Sequence, residues 1–576
     1  MPEFRRKGIF MQIPRNEYPK PQFERANWLN LNGEWQFETD NGKSGIERKL
    51  FEDSVTLKDR ILVPFCPESK LSGIENKEFM YGVWYKRSFV LTKDQIKKKT
   101  ILHFGAVDYK CTAYINGKEA GVHKGGYVSF SFDISSLVKE GENIITVYAE
   151  DDTRSSMIPS GKQSHFFNSF GCFYTRTTGI WQTVWLEFHP EAYIKSVKFY
   201  PDARKGAITV SAELCGNGRF SAKTSFEGRA TGDYAAENVG GTHSFTIQLS
   251  EKQLWEIGHG RLYDIEFAFE NDSVKSYFGL RDVHLDGHKF MLNDKSIFQR
   301  LVLDQGFYPD GIYTAPTDTA LENDILLSLA AGFNGARLHE KIFEERFLYY
   351  CDKHGYIVWG EYPDWGLDVP DPLSIYPITF EWLEEINRDF NHPAIIGWCP
   401  RNETGDRGEP YNDAVKLLYQ ITKAADSTRP CIDTSGYRHV LTDIYDIHDY
   451  DQNPESFKEH YDQLVEKSEL YNRNRQVEPY NGEACFISEY GGTAYATQGG
   501  GGYGTTAQTE DDFVQKVKGL TDALLDNKEM FGFCYTQLTD VEQEQNGIYN
   551  YDRTPKLDVS RIKAIMQRKA AIEDDN

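Results

Sequence analysis

The chain has no run of apolar residues approaching the length of a membrane span, so it offers no transmembrane helix. Cysteine is sparse and unpatterned: nine residues, an odd number, with no C-x-x-C pair. That spacing speaks against a structural zinc site. It favours buried free thiols in a reducing cytoplasm, since Cys351, Cys399, Cys431, Cys485 and Cys534 lie in or beside apolar runs. Positive charge is in deficit, 64 Lys and Arg against 87 Asp and Glu, for a net −23. Nucleic acid and anionic membrane are thereby disfavoured as main partners. Met1 to Lys7 carries charge with no apolar stretch behind it, so no secretory signal is expected. Internal repeats are absent, and Gln498 to Gly504 is the one low-complexity tract.

What is present is aromatic and globular. Phe, Trp and Tyr make up 14% of 576 residues, and the hydrophobic fraction of 40% is ordinary. That length exceeds a single core. Residues 11–190 are rich in short aromatic or β-branched runs, such as Trp35-Gln36-Phe37 and Val83 to Val90. Turn signals such as Asn32-Gly33 and Asn116-Gly117 separate them, which predicts a β-sandwich closing on Gly179 to Glu187. Residues 191–283 hold alternating strands at Ile194 to Tyr200, Ala207 to Glu213, Thr242 to Leu249 and Leu262 to Phe269, the size and pattern of an immunoglobulin-like sandwich.

From 284 to 576 the texture changes to apolar strands alternating with helical patterns. Strands are expected at Phe298 to Leu303, Phe333 to His339, Tyr356 to Gly360, Ile395 to Cys399, Cys431 to Thr434, Ile444 to His448, Cys485 to Ser488 and Phe531 to Tyr535. Helices fall at Thr319 to Ala331, Phe343 to His354, Phe380 to Phe390 and Asn412 to Asp426, and no helix is evident after the fifth strand. Eight β units in about 290 residues fit a (β/α)8 barrel, whose chemistry sits at the C-terminal strand ends.

On this register Glu403 ends the fourth strand and Glu489 the seventh. Two carboxyl groups facing each other across a barrel mouth can cleave a glycosidic bond. One, protonated, gives its proton to the leaving oxygen, while the other, ionised, attacks the anomeric carbon. Taken singly, each glutamate would pass for a strand-end salt-bridge partner.

Pro400-Arg401-Asn402-Glu403 and Ser488-Glu489-Tyr490-Gly491, each after an apolar strand, resemble the two catalytic motifs of glycoside hydrolase family 2. The resemblance covers nearly the whole chain. Leu31-Asn32-Gly33-Glu34-Trp35, Tyr81 to Tyr85, Ala113 to Gly117 and Gly179-Ile180-Trp181 are similar to the family's jelly-roll domain, and Gly332 to His339 to its second barrel strand. The resemblance implies Glu403 as acid/base and Glu489 as nucleophile. It also implies Asn402 as the ligand of the sugar's 2-hydroxyl and Arg337 as the group that keeps Glu489 ionised. Tyr450 stands where the family often has a tyrosine bonding the nucleophile, with Tyr445 or His448 as alternatives. Asp304, Gln305, His339, Glu361 and Trp365 follow other barrel strands, and with Tyr535 of the last strand they are candidates to line the sugar pocket.

Three stretches depart from the family's pattern. Asp304-Gln305-Gly306-Phe307-Tyr308 follows the first barrel strand, where many β-galactosidases carry histidines. The loop Phe173 to Thr178 has no carboxylate, and the eighth strand ends Tyr535-Thr536-Gln537 rather than in tryptophan. Gln545 to Arg553 also lacks the Asn-x-Lys that grips a glucuronide, which disfavours that glycone. The expectation is a cytoplasmic retaining exo-glycosidase acting on a small glycoside, without organic cofactor or metal. β-Galactosidase-type activity comes first. β-Galactofuranosidase or α-L-arabinofuranosidase follows, then β-glucuronidase or β-mannosidase. Symmetric self-association is the family's default. A carbohydrate-binding protein without turnover is the alternative from another class, and the intact carboxylate pair argues against it. The glycine-rich tract Gly499 to Gly504 reads as a rim loop or lid beside the pocket, or as a plain connector.

Overall fold

A computed structural model describes residues 13–368, 373–405, 407–474, 476–495 and 500–575. The N-terminal Met1–Lys7, Gly499 of the glycine tract and Asn576 lie outside them.

The first unit is two antiparallel sheets face to face. Six strands, Asp59–Val63, Gly33–Thr39, Val83–Leu91, Gly141–Glu150, Lys110–Ile115 and Lys118–Lys124 in spatial order, pack on four, Trp28–Asn30, Val184–His189, Lys99–Phe104 and Phe130–Asp133. Inward positions alternate along each strand, so Trp35, Phe37, Ile61, Val63, Phe89 and Leu102 meet in one apolar layer. The strand predicted at Gly179 to Glu187 is broken: Gly179–Ile180 forms a short ribbon with Val107–Asp108, and Val184–His189 enters the four-stranded sheet.

In the second unit, the runs read as separate strands at 207 and 242 belong to two continuous 20-residue strands, Ala207–Phe226 and Arg229–Gln248, paired as one long hairpin. Register shifts near Leu214 and Gly218 bend it, and the first half of Ala207–Phe226 pairs with Tyr193–Asp202 while the second half pairs with Leu262–Phe269. Periodicity missed the continuity because the bent middle, Gly216-Asn217-Gly218, reads as a turn.

The barrel strands are Gln299–Asp304, Gly335–Leu338, Ile357–Glu361, Ile395–Cys399, Tyr445–Asp449, Cys485–Gly491 and Met530–Thr536, every pair parallel. The expected fifth strand is reduced to two single bridges on the fourth, Trp398 to Cys431 and Asn402 to Ser435. No helix follows it. Instead Asp433 ties the returning loop, accepting from the backbone N–H groups of Val440 and Leu441 and bonding His439. Caps match the sequence elsewhere: Thr317, Asn453 and Thr509 each accept a backbone N–H at the start of their helices, and Gly355 closes Glu345–His354 in the left-handed region.

The units are joined by buried contacts. Trp181, Tyr127 and Tyr174 of the first sandwich belong to the same apolar cluster as the barrel core. Arg25 bridges Glu187 of the first sandwich and Asp272 of the second. Arg281 donates to the backbone of Pro393 and Ile395. No helix among the described residues is long and apolar enough to cross a membrane. All nine cysteines are free, seven of them buried and Cys172 and Cys215 partly so.

Candidate active site

Both glutamates rise at the same barrel mouth. Glu403, just past Ile395–Cys399, takes a left-handed backbone with φ of 49°, and its N–H donates to Ser435 O at 2.9 Å. A non-glycine residue held there costs on the order of 1 kcal/mol. The strain turns its carboxyl toward His448, whose Nδ1 lies 2.8 Å from Glu403 Oε1 and 3.5 Å from Glu489 Oε2. A carboxylate oxygen of Glu403 lies within 4.8 Å of one of Glu489.

Glu489 is buried and fully engaged. Arg337 Nη1 donates to Oε1 at 2.9 Å, and Tyr450 OH donates to Oε2 at 2.5 Å. Tyr450, rather than Tyr445 or His448, therefore takes the tyrosine position. Tyr445 turns away and donates to Glu478 O. The other Arg337 nitrogen donates to Glu361 at 2.5 Å and to Asn402 Oδ1 at 3.1 Å, and Glu361 also bonds His339 at 2.8 Å. Arg337, Glu361, His339, Asn402, Tyr450 and His448 thus gather around the pair as the sequence suggested.

The charges decide the protonation states. Burial pushes the Glu489 carboxyl up, but His448, His339, Arg337 and Lys162 more than reverse it and hold it well below the usual carboxylate range. For Glu361, burial is likewise outweighed by Arg337 and His339, which pull it down to about 2. His448 moves the other way. Burial lowers it, yet the carboxylates of Glu489 and Glu403 on either side raise it above its ordinary value. The site is built to keep Glu489 ionised and places the His448 imidazole between the two carboxyl groups.

Trp365, a candidate for the sugar pocket, sits at the rim, where its N–H donates to Glu340 at 3.2 Å and its other partners come from the first sandwich. Ser160 and Gly161 donate backbone N–H groups to its carbonyl, and Lys162 Nζ lies 3.7 Å above its ring. Gly161 has a φ of 52° and passes so close to Glu340 O that a Cβ would sit 2.4 Å from it. Only glycine delivers Lys162 this near the barrel. Sequence reasoning missed Lys162, because a lone lysine in a loop carries no signal until the two units are docked. It also missed Tyr437, whose ring lies edge-on to His448 at 6.0 Å, and Thr536, which bonds Tyr450 at 3.1 Å.

Two candidates are not brought to the pair. Asp304 faces the helix layer. Its carboxyl accepts from Gly306 N–H and is raised to about 6 by burial and by Asp324. Tyr535 packs on Phe333, Tyr490 and Gly491, also away from the mouth. Strand alternation explains Tyr535: its neighbour Thr536 faces inward. Gln305 donates to Gln537, which donates to Asn546, which donates to Glu544, and Glu544 accepts from Tyr174 of the first sandwich. This buried relay fills the stretch where no Asn-x-Lys was found. Of the glycine tract, Tyr503 stacks on Tyr450 with ring centres 4.0 Å apart, so its described part lies against the pocket.

Glu403, His448 and Glu489 are close enough to share a cation, as are His103, Glu187 and His189, and Asp282, His284 and Asp294. Arg337 already supplies positive charge to the first group and Arg25 to the second, which disfavours a metal ion in either. The third group is a surface cluster.

Residues 29–189 match the model of the glycosyl hydrolases family 2 sugar binding domain, and residues 283–570 match that of the family 2 TIM barrel domain. A beta-galactosidase of Thermoanaerobacter pseudethanolicus is 25% identical over 449 residues, which cover 74% of this chain and 56% of that protein. A beta-glucuronidase of Rattus norvegicus is 25% identical over 461 residues, covering 71% of this chain and 68% of that protein. The chain thus spans little more than half the length of the galactosidase. In fold it is similar to a beta-glucuronidase from Ruminococcus gnavus, with a TM-score of 0.80 at 19% identity over 95% of this chain and 99% of that one. The chain belongs to glycoside hydrolase family 2.

Proposed function

We propose that the protein is a retaining exo-glycosidase that removes one terminal sugar, with a β-galactoside as the first glycone to test. The observation that carries this is the approach of Glu403 and Glu489 to within 4.8 Å, oxygen to oxygen. Retaining enzymes hold their carboxyl groups about 5–5.5 Å apart, whereas inverting ones leave about 6.5–9.5 Å for a water. In the first step Glu489, kept ionised by Arg337 and Tyr450, bonds the anomeric carbon. The glycosidic C–O bond breaks, and Glu403 gives its proton to the departing oxygen. In the second step Glu403 takes a proton from water, the hydroxide attacks the anomeric carbon, and Glu489 leaves. Asn402 supports the reading. Its Oδ1 is held by Arg337, while its buried Nδ2 has no acceptor among the described residues, as a donor reserved for the sugar's 2-hydroxyl would be. The first-sandwich loop on Trp365 walls one side of the mouth, which favours exo action.

A second reading, an acidic sugar such as a β-glucuronide, is favoured by Lys162, a buried cation whose ammonium has no hydrogen bond or ion pair among the described residues.

The test is hydrolysis of p-nitrophenyl β-galactopyranoside, β-glucuronide, β-mannoside, β-galactofuranoside and α-L-arabinofuranoside, together with trapping by the 2-deoxy-2-fluoro analogue of the best substrate. The trap is expected to label the peptide carrying Glu489. Glu489→Gln should lose on the order of 10⁴-fold or more in kcat. Glu403→Ala should lose about 10²–10⁴-fold and regain rate with azide. Labelling of another residue, or an active Glu489→Gln variant, would overturn the assignment.

A further inference from the structure

Beside the mouth, the loop from His165 to Phe173 carries an aromatic ridge that the glycone chemistry does not use. Its rings touch in sequence: Phe166 to Phe170 at 4.9 Å, Phe170 stacked on Phe173 at 5.1 Å, and Phe173 to the rim residue Trp365 at 5.3 Å. The outer end is open to solvent, Phe166 being 56% and Phe167 50% exposed. Clustered exposed aromatics on a soluble protein mark a binding surface more often than chance.

The ridge is built, not floppy. Phe170 and Phe173 exchange two backbone hydrogen bonds around Gly171, and Ser164 Oγ donates to Asn168 O and accepts from Phe166 N–H. Arg176 donates to Phe166 O and to Lys77 O, and its guanidinium stacks 4.1 Å from Phe79. From the barrel side, Gln543 donates to Gly171 O and Phe173 O. The surface is therefore fixed relative to both the sandwich and the barrel mouth before any ligand arrives.

We propose that this ridge is the aglycone subsite and that it selects glycosides whose leaving group is a planar aromatic, over those whose leaving group is another sugar. The ridge begins at Trp365, whose ring carries the Lys162 ammonium on which Glu403 and Glu489 also act, so the platform adjoins the carboxylate site. Its phenylalanines carry no hydroxyl or amide. A second pyranose would need hydrogen-bond partners along the platform, whereas a flat apolar ring needs only faces and edges.

The selectivity depends on the glycosidase reading, while the binding surface does not, and the experiment separates the two. The kcat/KM of wild type and of the double variant Phe166→Ser, Phe167→Ser is compared on methyl, 2-naphthyl and glucosyl glycosides of one glycone. The variant is expected to lose about three- to tenfold on the 2-naphthyl glycoside, through KM, and less than about twofold on the other two. Equal losses on all three, no loss on the naphthyl glycoside, or the greatest loss on the glucosyl one would overturn the proposal. Binding of free 2-naphthol, followed by its fluorescence anisotropy, needs no catalysis. Wild type should bind it several-fold more tightly than the double variant, and equal binding or none would overturn the subsite even in an enzyme that hydrolyses nothing offered. If every glycoside is left intact while naphthol still distinguishes the two proteins, the glycosidase reading fails and the aromatic subsite stands.

Discussion

Lys162 brings a positive charge into a mouth where its ammonium meets an aromatic face and, among the described residues, no acceptor. Burial works against that charge, but Cys172, Glu403, Glu489 and Glu340 outweigh it and raise the ammonium above its ordinary value. The reverse influence falls on Glu489, for which Lys162 is one of four groups holding the carboxyl down. Attack requires Glu489 ionised, so its lowered pKa puts the acid limb of activity below the ordinary carboxylate range. Replacing Lys162 by Met removes one opposing charge and leaves the carboxyl as buried as before. The acid limb of kcat/KM is then expected to move to higher pH, with KM raised for the preferred glycone, and Lys162→Arg should restore the limb. The pH–rate profiles of the three proteins check this, and superimposable acid limbs in wild type and Lys162→Met would refute it. At this scale the sequence revealed residues that sit in motifs, Asn402-Glu403 and Glu489 above all, because a motif travels with its strand. It could not reveal Lys162, which comes from a separate sandwich, nor the turning away of Asp304 and Tyr535, which depends on the side of each strand that faces the axis.

Among the elements, the fifth barrel segment is held to its neighbour by the fewest backbone bridges of the described barrel strands. It has two bridges to the fourth strand and no helix of its own, and Gly436 sits where it turns back. Gly436 has a φ of 85°, and a Cβ there would lie 2.2 Å from the ring of His448, the imidazole placed between the two glutamates. Gly436→Ala therefore does two things. It strains the backbone by about 1–2 kcal/mol, and it forces His448 off its bonds to Glu403 and Ser435. Activity is expected to fall about tenfold or more while the far-ultraviolet circular dichroism stays unchanged. A fully active Gly436→Ala would mean that the position of His448 is unimportant. The seven strands that carry backbone ladders were legible from their apolar runs, with boundaries within a few residues, and so was the missing helix. The weak fifth strand was not, since Cys431 to Thr434 reads like its neighbours. What distinguishes it is Asp433, buried and spent on backbone N–H groups of the return loop rather than on a helix cap.

Across the whole molecule, buried carboxyl groups shift in both directions, and one cluster at the sandwich–barrel junction bears on the pH range of stability. Where the first sandwich meets the barrel, three acids are buried together. Glu68 accepts from Thr178 N–H, Asp151 from Thr178 Oγ1, and Asp108 from Gln163, the residue beside Lys162. Burial pushes Glu68 up to about 7, burial and the charge of Glu68 push Asp151 up to about 8, and burial with the charge of Asp151 raises Asp108 strongly. In the unfolded chain these groups titrate near 4. Between about pH 4 and 8 the folded protein thus holds protons that the unfolded chain has released, and its stability falls as pH rises through that window. The depressed barrel carboxylates act elsewhere. The contribution of Glu361 is present above the unfolded value and is lost only as pH falls from about 4.5 toward about 2. The two windows barely overlap, so maximal stability is expected at mildly acidic pH. Urea unfolding midpoints at pH 5.5 and 8.0 test this. Wild type should unfold at lower urea at pH 8.0, and Glu68→Gln, which keeps the shape without the titrating proton and relieves Asp151 of a neighbouring charge, should narrow the difference. A midpoint that does not fall between the two values, or a Gln variant with an unchanged difference, would mean that these acids are ionised in the folded protein with charge compensation supplied from outside the trio. Because the trio is bonded through Gln163 and Thr178 to the loop that delivers Lys162, raising the pH should loosen that loop first. Activity loss near pH 8 is then expected to precede global unfolding, and the Glu68→Gln variant should hold its KM to higher pH than wild type.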